Sequence, residues 1–147
     1  MIPEDYSNIV IQNADGTETY KTFLAYDSAQ EPGCGGSDPD RVLIFSSENG
    51  IQDLIEQKDW AIHAQFKVAP KLWYQLLGVH AYFGKPEEGG KYVPRLWALM
   101  PNKKTPTYTK VYEAMKKLGL EHDRRGNGFR PERLLLDFEI AEKVCSY

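Results

Sequence analysis

Between Trp60 and Met100 three strand-length runs follow one another with too little chain between them for a crossover, and this limits the folds open to the sequence. In the first run, 60–68, Trp60, Ile62, Ala64, Phe66 and Val68 alternate with Ala61, His63, Gln65 and Lys67. That period of two is the pattern of a half-buried strand, and Pro70 stops it. "LWYQLLGVHAYF" (72–83) is longer and more continuously apolar, as suits a central strand. "KPEEGG" (85–90) is a turn, and "YVPRLWALM" (92–100) a third strand, with Pro94 near its start, where a missing N–H matters least. Parallel neighbours need a long crossover, so three strands joined by short turns are expected to form an antiparallel meander.

The next segment, "TPTYTKVYEAMKKLGL" (105–120), has the clearest helical signature. Thr105 is placed as N-cap, Pro106 at the first helical position and Gly119 at the C-terminal cap, with Tyr108, Val111, Tyr112, Met115 and Leu118 on one apolar face. A polar loop, 121–132, leads to a strand "RLLLDF" (133–138) and a helix beginning at Glu139. The helix returns the chain for a parallel pairing by a right-handed crossover, giving a mixed sheet with helix cover, an α/β architecture. Upstream, Asp15-Gly16 marks a β-hairpin turn, 28–40 is a Gly/Pro-rich loop, and "RVLIFSS" is a short strand. Ser47 caps a helix reaching Gln57, with Ile51, Leu54 and Ile55 on one stripe. Residues 1–57 thus read as a lead-in and 58–147 as the core.

Composition narrows the function classes. Eighteen Lys and Arg against 21 Asp and Glu leave a net charge of −3. A strong stand-alone DNA binder usually shows a basic surplus, although a local basic patch is compatible with this balance. No run reaches the ~18 apolar residues of a membrane span, and "MIPEDYSNIV" lacks the charged and apolar regions of a secretory leader. Cys34 and Cys145 stand outside any metal-ligand spacing and read as free thiols. The expected setting is intracellular, nucleus or cytoplasm, with no membrane partner.

Several separated stretches then resemble one family. "FKVAPKLWYQLLGVHAYFGK", "VPRLWALMPNKKTPTYTKVYEAMKKLGL" and "LLLDFEIA" are similar, in this order, to the catalytic core of the Mutator-like (MULE) DDE transposases. That family carries Asp-Gly-Thr-Phe-Lys-x-x-Pro, a Gln-Leu strand, a tyrosine-bearing helix after Leu-Pro-Asn-Lys, and a strand ending Asp-Phe-Glu. "TFLAYDS" and "RVLIFSSENGIQDLIEQKDW" resemble its lead-in, so the likeness spans roughly residues 20–142. It implies a ribonuclease-H-like fold, here incomplete: a three-stranded antiparallel meander, a helix and a parallel strand behind an N-terminal hairpin. It also implies DNA cleavage and strand transfer, with two Mg²⁺ or Mn²⁺ held by three carboxylates. Such hard cations require oxygen ligands.

The resemblance puts the second carboxylate at Asp137, the one metal ligand if any is retained, and Glu139 completes the "DFE". At the first acidic position stands His63, whose imidazole has one lone pair, no negative charge and a preference for Zn, Cu, Fe or Ni. Asp59 shares its strand face but lies some ~13 Å along the strand. The third acid has no counterpart in the ten residues after Asp137, and the family's zinc-finger module has none either. The expectation is a truncated, catalytically inactive transposase-derived domain that uses no cofactor, and His63→Asp alone does not restore activity. Two alternatives stand beside it: an interaction module, or a fragment of a longer active transposase from an incomplete gene model. Partners in view are DNA, bound weakly, and a second copy or a transposase docking on exposed sheet. Arg124, Arg125, Arg130 and Lys67 are the candidate phosphate contacts, although a charged loop by itself reads as solvated surface. A zinc site of His63, His80 and Asp137 has ligands of suitable type. Read alone, however, His80 is a satisfied core histidine and His122 a loop residue.

Overall fold

A computed structural model describes residues 8–34, 36, 38–65, 67 and 69–136. Two strands, β1 (Asn8–Gln12) and β2 (Glu18–Thr22), form the hairpin expected at Asp15-Gly16 as a separate two-stranded sheet. Gly16 takes φ +87°, and Asp15 accepts from the Thr17 amide and hydroxyl, so the turn carries its own hydrogen bonds.

The main sheet has six strands in the order β3-β4-β7-β6-β5-β8. They are β3 (Leu24–Asp27), β4 (Leu43–Phe45), β5 (Asp59–Gln65), β6 (Gln75–Phe83), β7 (Lys91–Met100) and β8 (Arg133–Leu136). β5, β6 and β7 form the antiparallel meander, and β8 runs parallel to β5 with Asp59 paired to Arg133 and Ile62 to Leu136. β4 pairs antiparallel with β7, so the lead-in joins the same sheet. A mixed α/β architecture is therefore present as expected.

The two α-helices of the described residues, α1 (Glu48–Glu56) and α2 (Thr105–His122), cover one face. Trp60 and Ile62 of β5, Leu77, Val79 and Ala81 of β6, and Leu96, Ala98 and Met100 of β7 point to this side. They close on Leu54 of α1 and on Tyr108, Val111, Ala114, Met115 and Leu118 of α2, the stripe that the helical period marks out. Among the described residues no helix lies on the other face.

Several boundaries differ from expectation for local reasons. Ser47 does cap α1, accepting from the Gly50 amide at 3.0 Å. At α2 the cap residue is Lys104, not Thr105, and it makes no side-chain cap bond. Asn102 organises this turn instead, its Oδ1 accepting from the Lys104 amide and the Thr107 hydroxyl. Gly119 does not end α2, which continues to His122. A Cβ on Gly119 would lie 2.8 Å from the backbone nitrogen of Phe129, so the glycine serves the close approach of the following loop. β5 ends at Gln65 and β6 begins only at Gln75, after a turn closed by Trp73 N to Pro70 O at 2.8 Å.

Pro94 sits inside β7, beside a bulge that makes Arg95 the extra residue between the His80–Pro94 and Val79–Leu96 pairs. β4 pairs only with Trp97–Leu99, so the proline meets no partner on that side. The bulge turns Arg95 toward α1. Its carbonyl accepts from the Ser46 hydroxyl at 2.8 Å, and its side chain meets Asp53 at 3.0 Å. The 28–40 loop is tied at both ends. Arg41 holds Asp27, while Lys110 of α2 and Ser28 both donate to Asp38. These bonds lower both carboxyl pKa values, led by Arg41 at Asp27 and by Lys110 at Asp38.

Candidate functional site

On the uncovered face, β5 presents Ala61, His63 and Gln65, and β6 presents Leu76, Gly78 and His80. Gly78 pairs directly with His63, and His80 pairs with Ala61, which makes the two histidines diagonal neighbours across the strands. With no side chain at Gly78, the His80 ring leans across the gap and stacks on His63. The ring centroids are 4.6 Å apart and the planes 26° from parallel. An added Cβ at Gly78 would stand 3.0 Å from His80 Cε1. His80 is thus half-buried on the open face, not a satisfied core histidine: its Nδ1 makes no hydrogen bond. The Gln65 amide lies 3.0 Å from His63 Nε2. Leu76, Pro94 and Trp97 complete a cleft of about 210 Å³ around the pair.

Burial holds the His80 pKa below the ordinary histidine value, and the neighbouring His63 charge adds to this, while the Ala61 and Gly78 backbones act weakly in the opposite direction. The neutral form of His80 is therefore favoured at neutral pH. Gly78→Ala is expected to push the His80 ring off His63 and toward solvent. Both lowering causes then weaken, so the His80 pKa moves up toward 6.5. NMR titration of the imidazole Cε1–H resonances checks this; an unchanged His80 titration would mean that the stack does not depend on the glycine.

The other sequence candidates lie apart. Lys67 is exposed just beyond β5. Arg124 and Arg125 follow α2, on the helix side of the sheet, and line a separate cleft with Glu48, Glu56, Glu121 and Asp123. Carboxylates surround these arginines, which weakens the cleft as a phosphate surface. Arg130 is exposed further along the same loop. His122 is the last residue of α2 and not a loop residue, with Nδ1 2.9 Å from the Leu118 carbonyl. Asp59 is engaged by Arg133 at 2.8 Å and does not stand in for a carboxylate at His63. Asp137, Glu139 and the helix expected there lie outside the described residues, as do Cys145, Phe66 and Val68. The described β5–β8 register stops at Ile62 and Leu136, the residues just before His63 and Asp137 in the chain.

Among the described residues no three His, Cys, Asp or Glu side chains converge to hold a metal, so a zinc set of His63, His80 and Asp137 has only its two histidines in view. No described helix is long and apolar enough to cross a membrane. The pairing of His63 with Gly78, and so the histidine stack, was not legible as such. A glycine inside an apolar strand run was the available signal, since it marks a place where another group comes close. No model of a known protein family matches the chain, and neither a curated protein nor a solved structure is significantly similar to it.

Proposed function

We propose that the chain is a ribonuclease-H-like domain derived from a Mutator-like transposase, in which an imidazole has replaced the bridging carboxylate and two-metal DNA cleavage and strand transfer are lost. The observation that carries this reading is the order β7-β6-β5-β8, with antiparallel pairing across the meander and parallel pairing at β8. That is the strand arrangement the resemblance calls for, and it sets His63 on the strand beside β8. A two-metal centre places its shared acid on such a strand because one carboxylate can offer an oxygen to each ion. Imidazole offers a single lone pair and leaves the charge of the ions uncompensated. Gln65, two residues on and on the same face, supplies an amide and no charge.

The test is cleavage and end-joining of labelled duplex DNA in Mg²⁺ or Mn²⁺. The expected product is no greater than that of Asp137→Ala. Metal-dependent cleavage by the unaltered chain that disappears in Asp137→Ala would overturn the proposal.

A further inference from the structure

We propose that His63 and His80 form a two-imidazole chelating site for a borderline divalent transition metal, Zn²⁺, Ni²⁺ or Cu²⁺, on the open face of the sheet. The inference stands on the placement of the two rings and holds whether or not the domain descends from a transposase. The two histidines sit on adjacent antiparallel strands at a diagonal pairing, with no side chain at Gly78 to hold the rings apart. Their ring centroids are already 4.6 Å apart. Two imidazoles on one ion, with metal–nitrogen bonds of about 2.0–2.1 Å and a nitrogen–metal–nitrogen angle of about 90–110°, hold their ring centres about 4.5–5.2 Å apart. Little rearrangement beyond ring rotation is needed.

The donor chemistry selects the ion. Neutral imidazole suits Zn²⁺, Ni²⁺ and Cu²⁺, and a site with no carboxylate among its described residues is a poor one for Mg²⁺. Gln65 takes the part of an outer-shell partner. Its amide nitrogen lies 3.0 Å from His63 Nε2, and turning the amide to present its oxygen to Nε2–H would hold the tautomer whose Nδ1 is the metal donor. On His80 Nδ1 is buried with no hydrogen-bond partner, so Nε2 is the proposed donor. Burial keeps His80 neutral near pH 7, so no proton must be displaced from it. Water fills the remaining positions, as in an open zinc site.

Calorimetric titration of the untagged full chain with ZnCl₂ and NiCl₂, with MgCl₂ as the contrast, tests this. One equivalent of Zn²⁺ or Ni²⁺ is expected to bind, and Mg²⁺ not to bind. His63→Asn and His80→Asn should each weaken binding by more than about tenfold, and Gln65→Ala by about tenfold. His122→Asn should leave it unchanged, and Cu²⁺ should quench Trp97, which lines the cleft. Circular dichroism monitors the fold. Should half-buried His80 prove necessary for folding, His63→Asn carries the test. Absence of Zn²⁺ and Ni²⁺ binding at millimolar concentration, or binding that survives His63→Asn at full affinity, would overturn the site.

Discussion

Trp60→Ala is expected to lower the unfolding free energy by about 3–5 kcal/mol, the range for removing a large buried aromatic ring. Trp60 is 3% exposed in β5 and packs edge-to-face on Phe129, with centroids 5.3 Å apart and planes at 79°. Its Nε1–H donates to the Gln57 carbonyl at 3.0 Å, tying the end of α1 to the first strand of the meander. The same ring lines the cleft of about 180 Å³ between α2 and β8, so its loss also loosens the loop that carries Phe129. A domain of this kind has only about 5–15 kcal/mol in total, so the variant sits near the threshold of folding. Trp60→Phe retains most of the packing and loses one hydrogen bond, an expected cost of about 1 kcal/mol. Urea unfolding of the two variants separates ring from hydrogen bond. A loss below 1 kcal/mol for Trp60→Ala would show that the ring does not anchor β5.

Gln75→Glu tests the one fully buried polar side chain at the start of β6. Gln75 is 0% exposed, and its amide nitrogen donates to the Tyr108 hydroxyl at 2.8 Å and lies 3.2 Å from Met100 Sδ. Its Oε1 has no hydrogen-bond partner. A phenol and a thioether cannot neutralise a carboxylate, so burial raises the folded pKa of a glutamate here well above its ordinary value. The sign follows. Below about pH 4.3 both folded and unfolded states are protonated, and the variant keeps most of the wild-type stability. Above that, the unfolded chain ionises first, and stability falls with rising pH until the folded pKa is reached. Over the roughly 2.7 pH units to pH 7, at about 1.36 kcal/mol per unit, the loss is about 3–4 kcal/mol. Paired urea titrations of wild type and variant at pH 4 and pH 7 check this. A difference independent of pH would mean that water or a cation reaches the site.

The meander was legible because its evidence is local: alternation from Trp60 to Ala64, continuous apolarity in β6, and connections too short for a crossover. The α1 cap was legible for the same reason, since Ser47 acts on an amide three residues away. What escaped depends on contacts distant in sequence. Gly119 carries the ordinary mark of a helix end, and only the return of Phe129 gives it another use. Thr105 and Lys104 exchange roles because Asn102 reaches into the turn. The docking of β4 on β7 turns on the Arg95 bulge and its bonds to Ser46 and Asp53, whose partners lie some forty or more residues away. His63 was singled out from strand alternation, yet its relation to His80 rests on register, and a slip of one residue would have put His80 on the core face.

On the proposed function, His63 occupies the metal position of a two-ion centre without the means to bind its ions. Mg²⁺ titration of ¹⁵N-labelled wild type and His63→Asp, followed by amide NMR, measures this directly. No Mg²⁺-dependent shifts are expected along β5 and β8 in the wild type, and saturable shifts are expected on both strands once an aspartate joins Asp137. Shifts of equal size in the wild type, or none in His63→Asp, would contradict the proposal.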